Sequence, residues 1–175
     1  MQTPISKSST KRQRRIDRPI LRSSFRKLLT DLESKVTQLR RMKPAKPDAL
    51  PKDRPKAGVY VFSSGHKHLY VGRTNRLRAR IQEHCRQSSS HDSAPFAFKL
   101  ARRRSGFEKP SYTKQGSRKW LAGHDEFSRA FLDCKNEIRS FDVRWVEEDR
   151  PMQQFLLELY VALALKADHN DFDNH

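Results

Sequence analysis

Gly58-Val59-Tyr60-Val61-Phe62, then Ser63-Ser64-Gly65-His66-Lys67, then His68-Leu69-Tyr70-Val71-Gly72 is the stretch that decides the fold. Its two outer segments alternate with period two and are rich in β-branched and aromatic residues. The middle segment is polar and carries a glycine. The pattern predicts a β-hairpin with strands at 58–62 and 68–72. It also places one tyrosine on each strand at the same phase, ten residues apart, with Gly72 closing the second strand.

The period then changes. Thr74 or Asn75 is suited to cap a helix over 75–86, with Leu77, Ile81 and Cys85 on one face and Arg80 and His84, four apart, sharing another. A Ser/His/Asp cluster at 88–93 interrupts it, and a second helix is expected over 94–103. Residues 104–123 show no period and read as a long basic loop. A helix follows at 124–137, then a strand at 139–147 with Phe141, Val143 and Trp145 on one face. Pro151 suits the opening of a last helix at 152–166, with Met152, Phe155, Leu156, Leu159 and Leu163 toward the core. The expected fold class is α/β (α+β): a small central three-stranded sheet flanked by helices.

Upstream, four prolines in 43–56 mark a stiff linker and a domain boundary. Before it, Phe25, Leu28, Leu29, Leu32, Val36 and Leu39 recur at helical spacing, so a helix is expected over 24–42, capped by Ser23 or Ser24. Residues 1–23 form a basic arm around Lys11-Arg12-Gln13-Arg14-Arg15. The division is therefore 1–56, arm, helix and linker, and 57–175, a compact domain with a basic insert at 86–123.

Charge follows that division. Residues 1–56 hold 17 Lys/Arg against 5 Asp/Glu, leaving 20 against 15 for the rest of a chain whose formal net charge is +17. Clustered cations release counterions on meeting phosphates, so a polyanion is the expected partner, DNA first and RNA second. Two cysteines in no CxxC spacing exclude a cysteine-based zinc site and a disulfide framework, and a reducing cytoplasm is expected. No apolar run approaches about 18 residues, so no membrane span is expected.

One carboxylate stands out. Glu158 sits in Phe155-Leu156-Leu157-Glu158-Leu159-Tyr160, where burial is costly without a cation or donors to meet it. Two tyrosines, an arginine, a histidine and a carboxylate make a set suited to phosphodiester cleavage. The carboxylate holds a divalent metal, metal and arginine offset charge in the transition state, and a phenol or imidazole moves the proton.

Gly58-Val59-Tyr60 and Tyr70-Val71-Gly72, followed by Arg80 and His84, resemble the defining elements of the GIY-YIG nucleases. Glu158 resembles that family's single metal-binding glutamate, and Asn170, in His169-Asn170-Asp171-Phe172, the asparagine that often follows it. The resemblance covers roughly residues 57–172, with the basic stretch at 86–123 and the N-terminal arm outside its shared motifs. It implies that Tyr60 is the general base or orients the attacking water, with His84 taking its proton. Tyr70 would hydrogen-bond a non-bridging phosphate oxygen or the water. Arg80 would bind the scissile phosphate through its planar fork, and Glu158 would hold one Mg²⁺ or Mn²⁺ ion. Asn170 would brace the site, and Arg73 is a further phosphate contact. Arg102, Arg103 and Arg104 are expected to bind substrate backbone.

Each residue alone has a plainer reading. A strand tyrosine is usually a packing residue, Arg80 and His84 could be an exposed helix face, Glu158 could pair with Lys166, and Asn170 could cap the last helix. Asp168, Asp171, Asp173 and His175 read as a solvated tail rather than a second metal site. The joint pattern supports a metal-dependent DNA endonuclease, whose specificity would come from attached elements or from a homodimer. The rivals are a catalytically silent nucleic-acid-binding module of the same fold, an RNA-directed nuclease, and an interaction protein whose arm binds a ribosome or membrane.

Overall fold

The computed structural model describes residues 18–107 and 116–170. The Lys-Arg run at 11–15, residues 108–115 of the basic stretch, and Asp171, Asp173 and His175 lie outside the described residues. Helix α1 (Arg18–Arg41) leads, and a 3-10 turn at Pro47–Ala49 follows. Strands β1 (Gly58–Ser64) and β2 (Lys67–Thr74), helices α2 (Leu77–Glu83), α3 (Pro95–Arg104), α4 (Arg118–Ala122) and α5 (Asp125–Ser140), strand β3 (Asp142–Glu147) and helix α6 (Pro151–Leu165) complete it.

The three strands form one antiparallel sheet in the order β2-β1-β3. The central strand β1 is buried on both faces, and its pleat sorts the core in two. Tyr60 and Phe62 join Val143 and Trp145 under α2, α3 and α5, while Val59 and Val61 join Val71 and Val146 under α1 and α6. Gly58, which opens β1, is required by close approach: a Cβ there would lie 2.1 Å from the Val146 carbonyl oxygen.

The hairpin, the three-stranded sheet and five of the six helices agree with the sequence expectation, while α4 and several boundaries do not. Helix α1 begins at Arg18, so Ser23 and Ser24 lie inside it rather than before its first turn. Its Leu32, Val36 and Leu39 are core residues of the sheet's second face. Lys35 reaches the buried Glu148 carboxylate (3.1 Å), which also accepts from Arg150, and this ties α1 to the turn before α6. Arg150 foremost, and Lys35 with it, holds that carboxyl at about 2, against desolvation.

The proline-rich stretch expected to be a linker is held to the sheet: Ala45 exchanges backbone hydrogen bonds with Val143, and Leu50 is buried. Helix α5 runs on to Ser140, so β3 begins at Asp142 rather than 139 and Ile138 is a helical core residue. The long loop contains α4, whose N-cap Ser117 accepts from the Trp120 amide. The largest correction concerns α6. Its core side is Leu157, Val161 and Leu165, while Met152, Phe155 and Leu163 are 67%, 51% and 63% exposed.

After α6 the chain lies along the free edge of β2. The amides of Asp168 and His169 donate to the carbonyls of His68 and Leu69. Asn170 completes the run, accepting from Val71 N–H at 2.7 Å and donating to Val71 C=O at 2.8 Å. An edge strand's unpaired groups are thereby satisfied. The backbone of the described part of the tail is engaged with the sheet, while Asp168 is exposed.

Candidate active site

Tyr60 stands on β1 directly opposite Gly72 on β2. The register explains the glycine: a Cβ at position 72 would lie 2.5 Å from the Tyr60 hydroxyl and 2.6 Å from its ring. The phenol crosses that gap and meets His84 Nε2 at 2.7 Å. His84 caps the C-terminal end of α2, one turn beyond Arg80, which brings both onto the face that looks at the strands. Tyr70 lies on the same sheet face and stacks on Phe96 of α3 (4.8 Å between centroids, 11° between planes). The Tyr70 ring is also 5.4 Å from His84, edge to face.

Arg80 is the charged member of this group. Its Nη1 donates to the Ser93 carbonyl (3.0 Å) and to Glu83 (3.3 Å), and its guanidinium faces the Tyr60 hydroxyl. The segment after α2 that provides the Ser93 carbonyl is pinned by the buried Lys135, which donates to the carbonyls of Gln87 and Ser89. Ser93, Glu83, Phe96 and Lys135 thus position the site, and sequence reasoning did not single them out.

The electrostatics keep the pair neutral at rest. Burial, and secondarily Tyr70, raises the Tyr60 phenol well above its ordinary value, against the pull of Arg80's charge and hydrogen bond. Burial raises Tyr70 to about 12. Burial first and Arg80 second push His84 down to about 3. Its Nδ1 is buried and makes no hydrogen bond within the described residues. A neutral imidazole facing a neutral phenol is the resulting ground state.

Glu158 approaches from α6, which packs against β2. Its carboxylate lies within electrostatic range of Tyr60, Tyr70 and Arg80 without a direct contact to them. Its partner is Arg73, whose Nε donates to Oε2 at 3.0 Å, and not Lys166, which sits at the far end of the helix. Burial raises the Glu158 carboxyl and Arg73 opposes the rise. Among the described residues no group of three or more His, Cys, Asp or Glu gathers as a metal cage. A lone carboxylate in a half-buried cleft fits a hard divalent cation that keeps most of its waters, and not a dehydrated or thiophilic one.

The remaining sequence candidates lie apart from the Tyr60–His84 contact. Asn170 braces β2 through Val71, the residue next to Tyr70, and does not cap α6, whose C-cap is Lys166. Arg102 donates to the Phe107 carbonyl, Arg104 pairs with Glu137, and the exposed Arg103 acts on the charge of His169. All three stand in the last turn of α3.

Residues 56–108 match the GIY-YIG catalytic domain. The match spans β1 through α3 and takes in Tyr60, Tyr70, Gly72, Arg80 and His84, together with residues 86–108 of the stretch expected to be an insert. Glu158 and Asn170 lie beyond it. The matched domain is that of a nuclease family, which implies a nucleic-acid substrate. No curated protein and no solved structure matches the chain. Among the described residues no helix is long and apolar enough to cross a membrane.

Proposed function

We propose that this protein is a metal-dependent endonuclease that hydrolyses DNA phosphodiester bonds. The observation that carries the reading is the buried Tyr60–His84 hydrogen bond of 2.7 Å, set beside a charged arginine and within the field of Glu158. A packing tyrosine needs none of these neighbours, and a domain that only grips nucleic acid has no use for a neutral histidine behind a phenol.

In this reading the attacking water gives its proton to the Tyr60 hydroxyl as Tyr60 passes its own to His84 Nε2. The water oxygen bonds to phosphorus, and the bond from phosphorus to the leaving oxygen breaks. The tautomer with its proton on Nδ1 leaves Nε2 free to accept. The imidazolium that forms is unfavourable in the resting protein, and the charge developing on the phosphate offsets it. Arg80 neutralises that charge through its planar fork, and Tyr70 donates to a non-bridging oxygen. Glu158 is the residue that would hold Mg²⁺ or Mn²⁺, adding Lewis-acid neutralisation of a phosphate oxygen. Arg73, which pairs with Glu158, would be free to contact the substrate backbone if a cation took that carboxylate.

The test is Glu158→Gln in single-turnover cleavage of a defined DNA with Mg²⁺ or Mn²⁺. Cleavage should be abolished while DNA affinity stays within a few-fold of the parent, because the amide keeps the shape and removes the ligand charge. Cleavage at the parent rate would remove Glu158 from the mechanism. Metal-dependent cutting of RNA but not DNA would reassign the substrate.

A further inference from the structure

On the opposite face of the sheet from Tyr60 lies a second cavity of about 350 Å³, built where three elements end. Arg40 comes from the last turn of α1, Lys166 from the end of α6, His66 and His68 from the hairpin, and Arg144 from β3. Leu39, Val61 and Leu165 make an apolar floor. Among the described residues no carboxylate lines it, and three permanent cations and two imidazoles share the concavity.

Part of this arrangement is structural. Arg40 Nη2 donates to the Ala164 carbonyl (3.0 Å) and Arg144 Nε to the Met42 carbonyl (2.9 Å), so each guanidinium satisfies an orphan carbonyl at a helix end. Each spends one of its several N–H donors in doing so, and the remainder of the fork stays available. Capping also gives no reason for Lys166. It is the only non-glycine with positive φ among the described residues (52°), at a helix C-cap position where glycine or asparagine would be unstrained. A cation is held in a conformation that disfavours it, on the rim of a cationic cavity. The field is felt inside: His68 is lowered by burial first, then by Arg144 and Arg40.

We propose that this cavity is a phosphate-binding site, in which Arg40, Arg144 and Lys166 hold the phosphate above a buried apolar floor. Guanidinium forks match phosphate oxygens in pairs, and several converging cations suit an anion of high charge density better than a single carboxylate. The volume lies at the lower end of the range for small-molecule sites. The phosphate has two sources with the same chemistry, the backbone of a bound nucleic acid and a free mononucleotide. The site does not depend on the nuclease reading, since it shares no residue with it.

The test uses the full chain in EDTA, so that no cleavage enters. Histidine ring resonances of His66 and His68 are followed by NMR during titration with inorganic phosphate, with dAMP and with polyglutamate. In parallel, the affinity of a short DNA duplex is measured against salt. The variants are Lys166→Gly and the pair Arg40→Gln with Arg144→Gln. The glycine removes a charge while relieving the backbone, so it should melt no lower than the parent, and it carries the test if the double variant fails to fold. Phosphate and dAMP should shift His68, and both variants should weaken that response. A drop of about one in the log–log salt slope for the duplex with Lys166→Gly identifies the backbone as the source. Binding of dAMP with an unchanged slope identifies the free nucleotide. If neither phosphate nor dAMP moves His68 and the slope is unchanged, or if polyglutamate binds where phosphate does not, the proposal is overturned and the cations serve only as helix caps.

Discussion

The two faces of the sheet are built from one strand and yet differ in kind. Toward α1 and α6, β1 presents Val59 and Val61 to an aliphatic layer of leucines and valines. Toward α2 and α3 it presents Tyr60 and Phe62 to an aromatic layer in which Tyr70, His84 and Phe96 lie ring against ring. Aliphatic groups bury surface and do nothing else. Aromatic side chains with polar tips bury comparable area while carrying a hydroxyl or a ring nitrogen into the interior, provided a partner meets it there. Chemistry can therefore sit on one face of a three-stranded sheet while the other supplies stability. The match to the GIY-YIG domain covers the hairpin, α2 and α3, whereas the helices of the aliphatic face lie outside it.

That division is broken most sharply at Tyr60. Tyr60→Phe keeps the ring and its packing and removes only the hydroxyl that meets His84. Single-turnover cleavage should fall roughly 10²–10⁴-fold, the range for loss of a positioned general base, with little change in the thermal melt. Near-parent cleavage would return Tyr60 to the role of a packing residue and leave the two faces alike.

The complementary change belongs to α1. Leu39 is fully buried against the aliphatic face, and Leu39→Ala should cost about 2–5 kcal/mol in denaturant unfolding while single-turnover cleavage by the folded fraction holds. A loss under about 0.5 kcal/mol would mean that α1 is an appendage and the face closes without it. Gly72→Ala falls between the two cases, because its new Cβ would strike the Tyr60 hydroxyl and ring rather than open a hole. Moving that ring should cost about 1–3 kcal/mol of stability, the usual range for overpacking. It should also depress cleavage, since the contact with His84 is the first to give. A variant with parent stability and parent activity would show that the ring yields freely and that its placement is unimportant.

The aromatic face was the more legible in sequence, for a physical reason. Its elements are short and sharply patterned: a period-two hairpin bounded by glycines, then Arg80 and His84 at helical spacing. The outer layer was harder. Helix α6 is apolar nearly all round, so its periodicity did not distinguish Leu157, Val161 and Leu165, which pack inward, from Met152, Phe155 and Leu163, which do not. Ile138 is β-branched and suggested a strand, but the helix before it continued to Ser140. The Arg73–Glu158 pair joins residues 85 apart in sequence, and no local pattern announces such a pairing. Ser117 was a readable signal for α4, obscured by the basic loop around it.

The smallest effect tests whether the aromatic face really holds a neutral histidine. His84 is fully buried and lowered to about 3 from an ordinary 6.5, by burial first and Arg80 second. Between those values the unfolded chain binds a proton that the folded chain refuses. Stability from this group is therefore complete above 6.5 and is lost as pH falls toward 3. Over the first unit below 6.5 the loss is at most about 1.4 kcal/mol. His68 and His169 are also lowered, by burial first, and act in the same direction, so the parent's slope alone assigns nothing. The comparison with His84→Gln isolates the term, because glutamine can still accept from Tyr60 but does not titrate. Urea melts near pH 7, 6 and 5 at fixed ionic strength should show the parent losing stability faster than the variant as the pH falls, with the gap between them narrowing. Parallel curves would mean that His84 binds protons equally in both states. Burial would then not be what keeps the imidazole neutral, and the ring would be protonated in the folded protein below about pH 6.5.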